Sequence, residues 1–503
     1  MTFSFIDMII VVIYLAVSIA FGFWMSGSQK NTSDYFLGGR HIPWLAVTFS
    51  IVAAETSVLT FIGIPAIAYQ GNMRFIQIVI GYVIGRFITA ILMIPAYYRG
   101  NLDTAYHFLE KRFGSKMRKL AGITFMGTRL LADGVRLFAT AIPLALIIKG
   151  SALFSSRLSE NNFYIISIIV IGLVTMIYTC FGGIRSVVWV DVIQMAVYIG
   201  GAILAGVIIL KKLPDGFSGF AAVASANDKF DWFYLGRDLN FRQFITQPYT
   251  FFTAVIGGAV LSLASHGTDQ LIIQRVLACG SKRAGQKAII ASGIVVLFQF
   301  LLFLFLGILL YVYYQGKSVA QLGLLRADGI FPKFIVEQIP HGICGLVVAA
   351  LFAAAMSTLA GSLSSLASST VMDIYIPIFG KDKTPQHLLK ISRIATVMWG
   401  GLLIITAISF IGMKGAIVEV ALGIASYTYG GLLGAFLLGL LYKRAIQRDA
   451  IIGFIAAILT MAIIIQTIKI AWPLYIVVGS GTAVITGIIS SRIFSRTENS
   501  AQT

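Results

Sequence analysis

Two stretches of this sequence place oxygen atoms inside otherwise apolar runs. Residues 350–375, ALFAAAMSTLAGSLSSLASSTVMDIY, carry hydroxyls at Ser357, Thr358, Ser362, Ser364, Ser365, Ser368, Ser369 and Thr370. Residues 50–69, SIVAAETSVLTFIGIPAIAY, hold Glu55, Thr56, Ser57 and Thr60 in their middle, with Gly63 and Pro65 just beyond. The neighbouring hydroxyls Ser357 and Thr358, joined to backbone carbonyls freed where a helix breaks near Glu55, would give a hard cation such as sodium an all-oxygen shell. The competing account is packing: small residues let helices approach, and hydroxyls cross-link them.

Charged residues at similar depth offer further chemistry. Arg129, Asp133 and Arg136, spaced four and three apart, share one helix face. Their sum is one positive charge, costly in a bilayer unless paired. Either Glu55 or Asp191 neutralises it, or Arg136 or Arg129 grips a carboxylate of a solute in two-pronged geometry. Glu55 has a third use, since a buried carboxylate can titrate near neutrality and couple protons. His266 either lines the pocket or is a satisfied structural histidine, and Arg86 is expected to reach the interface or Glu419. Asp269-Gln270 and Gln274-Arg275 read either as an inner gate closed by charge pairing or as a basic helix end.

The elements that must position these residues are membrane helices. The chain has 503 residues, 58% hydrophobic and only 12% charged, where a soluble domain has about a quarter charged. At about 20 residues per span, windowed hydropathy gives about thirteen spans, near 5–27, 43–69, 74–98, 119–149, 162–181, 186–210, 243–264, 286–315, 340–371, 388–411, 415–441, 449–468 and 470–491. With the N-terminus outside, the 38 Lys and Arg divide into roughly 22 in cytoplasmic loops, 13 in external ones and three within helices. Five of the external charges lie in the one long loop, 211–242, and long loops weigh little in this rule. The expected arrangement is therefore N-terminus outside and C-terminus cytoplasmic. The excess of +18 thus reflects topology rather than nucleic-acid binding. The first helix lacks the basic leader and cleavage pattern of a signal peptide and is read as retained.

Other classes of function find little support. Cys180, Cys279 and Cys344 are odd in number and lie in or beside apolar segments, so neither a disulfide framework nor a zinc cluster is expected. No G-x-x-x-x-G-K-[ST] run occurs, which disfavours ATP as the energy source. No convergent His, Asp and Ser set suggests an enzyme. Two breakable helices five spans apart, the second carrying Gly257-Gly258, Ser262, Ser265, His266, Gly267 and Thr268, are the pattern of transporters built from inverted repeats.

At this point the chain resembles the sodium:solute symporter family over nearly its whole length. The matching pieces are DYFLGGR at 34–40, the interrupted helix above, YHFLEKRFG at 106–114, FGGIRSVVWVDVIQ at 181–194, DQLIIQR at 269–275 and the hydroxyl-rich run. The resemblance implies an all-α membrane fold of the LeuT type. Two inverted five-helix repeats (43–210 and 243–442) are joined by an external loop (211–242), with an extra helix before them (1–42) and two helices and a tail after (443–503). It implies one sodium site from Ala53, Thr56, Ala354, Ser357 and Thr358. A second site in some members uses an aspartate, matched by Asp191, and a hydroxyl pair, here replaced by Ala360 and Gly361; a single sodium is therefore expected. Substrate contacts in relatives correspond to Glu55, Ser57 and Thr60. Where sugar carriers use an asparagine, an aromatic gate and a lysine, this chain has Ser262, Ser265 and Val295-Val296, so a galactose-type sugar is disfavoured. The expectation is a plasma-membrane symporter, functional as a monomer, that couples sodium to a small polar solute. A proton-coupled carrier and a solute sensor of the same fold are the rivals.

Overall fold

The computed structural model describes residues 3–100, 102–149, 160–324, 326–380, 382–412, 417–468 and 470–500, and within them every regular element is helical. The chain opens with α1 (Phe5–Met25), then the half-helices α2 (Trp44–Glu55) and α3 (Val58–Gln70), followed by α4 (Ile76–Leu92), α5 (Ser115–Lys149) and α6 (Glu160–Lys212). The second half runs through α7 (Phe251–Gly267), α8 (Gln270–Leu277), α9 (Lys282–Tyr313), α10 (Ile343–Ser368), α11 (Pro385–Ser409) and α12 (Ile417–Leu441). Two more helices, α13 (Gln447–Thr467) and α14 (Leu474–Ser500), complete it.

Nine helices among the described residues are long and apolar enough to cross a membrane. The remaining expected spans fall on elements with identifiable peculiarities. The half-helices α2 and α3 are each short, α5 carries Arg129, Asp133 and Arg136, and the side chains of α12 are described chiefly over Tyr427–Leu441. A straight helix of the 53 residues of α6 would be about 80 Å long, far beyond a hydrocarbon core of about 30 Å. It is divided at Gly183, whose φ of 58° and ψ of −162° suit a residue without Cβ; a Cβ there would lie 2.6 Å from the Tyr35 carbonyl oxygen.

Both interruptions form, at positions the sequence located only roughly. The first lies at Thr56 (φ −83°, ψ 99°) and Ser57 (φ −91°, ψ 172°), while helix α3 continues through Pro65. The second lies at Thr268 and Asp269, between α7 and α8. Gly257-Gly258 are instead inside continuous helix and serve close packing: a Cβ on Gly258 would stand 2.4 Å from the Ile78 carbonyl.

That contact belongs to a tight α4–α7 seam, where hypothetical Cβ atoms on Gly81 and Gly85 would lie 2.4 and 2.2 Å from the carbonyls of Val255 and Ala259. Small residues at such crossings let dispersion contacts replace a hydrophobic drive that lipid cannot supply. Gly85→Leu should therefore cost about 1 to 3 kcal/mol or more, measured as a lower thermal midpoint of the detergent-solubilised protein. Gly127→Ala, at a position with nothing within 4 Å of a Cβ, should not lower it.

The connecting segments brace the bundle. In the 211–242 loop, Lys229 Nζ donates to the carbonyls of Tyr69 (2.8 Å) and Gly71 (2.7 Å), closing the end of α3. Its burial pulls the ammonium below the ordinary lysine range. Elsewhere, Arg112 of the Ala105–Phe113 helix donates to the carbonyl of Gly439 in the last turn of α12 and to those of Tyr442 and Ala445 just beyond it.

Candidate ion and solute site

The first break turns helix-end carbonyls toward α10. The Thr56 amide makes the last helical bond, to the Val52 carbonyl at 3.0 Å, and the extended backbone at Thr56 and Ser57 stops the ladder there, so α2 ends with acceptors to spare. Ser357 Oγ donates to the Ala53 carbonyl at 2.8 Å and approaches that of Ala354 at 3.2 Å. Thr358 Oγ1 lies 3.5 Å from the Thr56 carbonyl and 3.3 Å from that of Ala354. Three carbonyls and two hydroxyls thus converge, all from the residues singled out by sequence. The set is oxygen-only and carries no formal charge, which fits a hard monovalent ion better than a divalent one. Among the described residues, no group of three or more His, Cys, Asp or Glu could hold a metal.

A residue that sequence reading missed holds this break open. Gln299 of α9, buried, donates through Nε2 to Thr56 Oγ1 at 2.6 Å and accepts from Tyr198 OH at 3.1 Å. Thr56 Oγ1 also donates to the Val52 carbonyl at 2.8 Å. The Thr56 side chain is thereby committed to α9, and its carbonyl is left to face α10. A lone glutamine in the apolar run of α9 was the available signal.

Glu55 lies on the other side of the break. It pairs closely with Arg86, a fully buried side chain of α4, and stands 3.5 Å from His266 Nε2. Arg86 is therefore buried and does not reach the interface; its other expected partner, the Glu419 side chain, lies outside the described residues. Arg86 also donates to Ser292 Oγ at 3.0 Å. His266 Nδ1 is 2.9 Å from Ser265 Oγ, and Ser262 Oγ donates to the Tyr82 carbonyl at 3.0 Å. Ser262 is therefore occupied by the α4–α7 seam.

The charges of α5 are balanced differently from expectation. Asp133 Oδ1 accepts from Arg136 at 3.1 Å and Arg129 at 3.4 Å, while its Oδ2 accepts from Ser362 Oγ at 2.6 Å. The second acid is neither Glu55 nor Asp191. It is Asp269, at the break between α7 and α8, which takes a 2.5 Å bond from Arg129 and another from Tyr429 OH of α12. Two arginines and two aspartates sum to zero, and only Arg136, at 30% side-chain exposure, is appreciably open. Arg136, Asp133, Leu137 and Thr140 line a cavity of about 20 Å³ with Ser57, Ala355, Thr358 and Leu359. Thr358 therefore belongs both to this cavity and to the oxygen cluster. A space that size holds about one water, so a solute enters only when helices separate. Thr60 is half-buried on α3, one turn further along.

Asp269 and Arg275 do not pair with each other. Arg275 of α8 reaches Asp191 of α6, Nη2 to Oδ2 at 3.0 Å, with both side chains fully buried. Ser50 Oγ donates to the same Asp191 oxygen at 2.5 Å and accepts from Arg275 Nε at 2.8 Å. The gate candidates thus tie α8 to α6 and α2, and the α7–α8 break to α5 and α12.

Three comparisons bear on this arrangement. The family model of the sodium:solute symporter family matches residues 35–457. The chain is 29% identical to the sodium/sialic acid symporter SiaT of Proteus mirabilis (strain HI4320), over 98% of this chain and 96% of that protein. It is 30% identical to the sodium/glucose cotransporter of Vibrio parahaemolyticus, over 93% and 87%. A solved structure of a Na+-coupled sialic acid symporter, substrate-bound and outward-open, superposes with a TM-score of 0.85 at 28% identity, covering 97% of this chain and 98% of that one. Broken half-helices facing a hydroxyl-bearing helix, together with a family match along most of the sequence, lead to one conclusion: this multi-pass membrane protein belongs to the sodium:solute symporter family, and it is a sodium-coupled symporter rather than an enzyme.

Proposed function

We propose that this symporter imports a small polar solute bearing a carboxylate, of the chemical class of sialic acid, with one sodium ion per solute. Sodium is held by Ala53, Thr56, Ala354, Ser357 and Thr358, and the carboxylate is gripped by Arg136. The observation that carries this reading is electrostatic. Arg129, Arg136, Asp133 and Asp269 already sum to zero beside an uncharged oxygen cluster. Sodium alone would leave one positive charge at membrane depth, and a carboxylate alone one negative charge. Together they restore neutrality, so each raises the affinity for the other. Ser57 and Thr60 supply hydroxyls to orient the remaining polar groups of the solute. Asp269 and Arg275 serve as gate residues through their cross-helix pairs, with the N-terminus outside, the C-terminus cytoplasmic and the protein working as a monomer in the plasma membrane.

A single sodium follows from Ala360 and Gly361. A Cβ on Gly361 would lie 2.8 Å from Arg275 Nη2, so a guanidinium already stands on Asp191 where relatives with hydroxyls could seat a further ion. One sodium with a monoanion moves no net charge. A membrane potential of 100 mV, worth about 2.3 kcal/mol per charge, would then contribute nothing, and a tenfold sodium gradient would sustain about a tenfold solute gradient. A neutral solute would instead reach roughly 500-fold, from about 2.3 plus 1.4 kcal/mol.

The test is uptake of labelled sialic acid, then of simple carboxylates, into proteoliposomes. Accumulation is expected to need external sodium, to stop in choline and to be insensitive to an imposed potential. Accumulation driven by a proton gradient without sodium would overturn the reading in favour of the Glu55-based alternative. Arg136→Lys keeps the charge but loses the planar fork; it should raise the half-saturating carboxylate concentration roughly 10- to 100-fold. Unchanged affinity would remove Arg136 from the solute site.

A further inference from the structure

At the face proposed as cytoplasmic, a cleft of about 510 Å³ opens between the segment after α1 and the first turns of α11, lined by Gln29, Lys30, Gln386, Leu389, Lys390 and Arg393. It lies away from the ion and solute site, and nothing in the transport cycle uses it. Three of its six lining residues are cationic, none is acidic, and none of the three cations forms an ion pair among the described residues. Arg393 is oriented by Gln29, whose Oε1 accepts from Nη2 at 3.2 Å, while its Nε is buried without a hydrogen-bond partner. The carboxylate nearest in sequence, Asp34, is already engaged by the Lys30 backbone amide at 2.9 Å.

The cleft also meets the bilayer edge. Gln29 Nε2 donates to the Phe181 carbonyl at 2.9 Å, and Phe181, Phe23 and Trp24 are 52%, 43% and 77% exposed. Exposed aromatic rings at a helix end mark the membrane–water interface. Unpaired cations at that level, facing a leaflet rich in anionic lipid, form a headgroup seat.

We infer that this cleft binds the phosphate headgroup of an anionic phospholipid. Lys30, Lys390 and Arg393 contact the phosphate, and the acyl chains lie over Phe181 and Trp24. The occupant bridges the segment after α1 to α11, two elements that otherwise meet in the cleft through Gln29 and Arg393.

The test is native mass spectrometry of the full-length protein, delipidated in detergent and titrated with phosphatidylglycerol or phosphatidylcholine. Wild type should retain phosphatidylglycerol preferentially. Lys30→Gln/Lys390→Gln, both exposed positions, should weaken that retention about 30-fold, at about fivefold per surface cation, with the thermal midpoint in the absence of lipid unchanged. Arg393→Gln should weaken it further. No preference in wild type, or a preference that survives in the double variant, would overturn the inference. Displacement of the bound lipid by inorganic phosphate at low concentration would also overturn it, by assigning the cleft to a soluble anion.

Discussion

Replacing Ser357 and Thr358 together by alanine should raise the sodium concentration for half-maximal uptake by about 100-fold or more. The two hydroxyls are two of five converging oxygens, and the other three are carbonyls that no side-chain substitution removes. An interaction between a polar group and an ion is worth about 1.5 to 3 kcal/mol, so losing two weakens binding by about 3 kcal/mol at least. Stability should suffer less. Each hydroxyl makes neutral hydrogen bonds in the sodium-free protein, and such bonds contribute about 1 kcal/mol net. Ser365→Ala is the control: its hydroxyl donates to the Ser362 carbonyl within α10, at 3.1 Å, and takes no part in the cluster. Sodium-dependent uptake by the double variant, the control and wild type settles the matter. Equal sodium requirements in all three would refute the assignment of the site.

The oxygens that converge at the proposed ion site were more legible in the sequence than the partners of the charges, for a physical reason. A cation shell built from helix-break carbonyls and paired hydroxyls needs residues close together in sequence on each side, so Ala53 with Thr56 and Ser357 with Thr358 are local patterns. The fold follows similarly from apolar run lengths, which mark 119–149 despite the charges of α5 and separate 162–181 from 186–210 around the kink at Gly183. Ion pairs obey no such locality. Arg129 finds Asp269 across 140 positions, Arg275 finds Asp191 across 84, and Arg86 finds Glu55 across 31. With four arginines, Arg86, Arg129, Arg136 and Arg275, facing four carboxylates, Glu55, Asp133, Asp191 and Asp269, charge balance dictates that each carboxylate be paired, yet not which arginine takes it. Gln299 was hidden for the same reason: one amide in an apolar helix announces a buried partner without naming it. Pro65 misled in the opposite sense, since the backbone bond it forfeits does not interrupt α3, and the break falls where Thr56 can be held by Gln299.

Breaking the Asp191–Arg275 pair from one side should be the most damaging single change to stability. Both groups are fully buried, and removing one partner of a buried pair leaves an uncompensated charge that costs about 3 to 5 kcal/mol. Asp191→Asn strands the guanidinium on Ser50 and the Leu271 carbonyl; Arg275→Gln strands the carboxylate on Ser50 alone. The double variant Asp191→Asn/Arg275→Gln has no charge left and should regain more than half of the loss, a coupling that additive costs would contradict. The same pair gives a direct test of sodium stoichiometry. Arg275→Gln frees the carboxylate and withdraws the cation crowding Gly361, so adding Gly361→Ser restores a hydroxyl beside an unpaired Asp191. Sodium should then stabilise Arg275→Gln/Gly361→Ser against heat more than it stabilises wild type, and the sodium dependence of that stabilisation should steepen from about one ion toward about two. If sodium stabilises both proteins alike, Arg275 is not what keeps a second ion out.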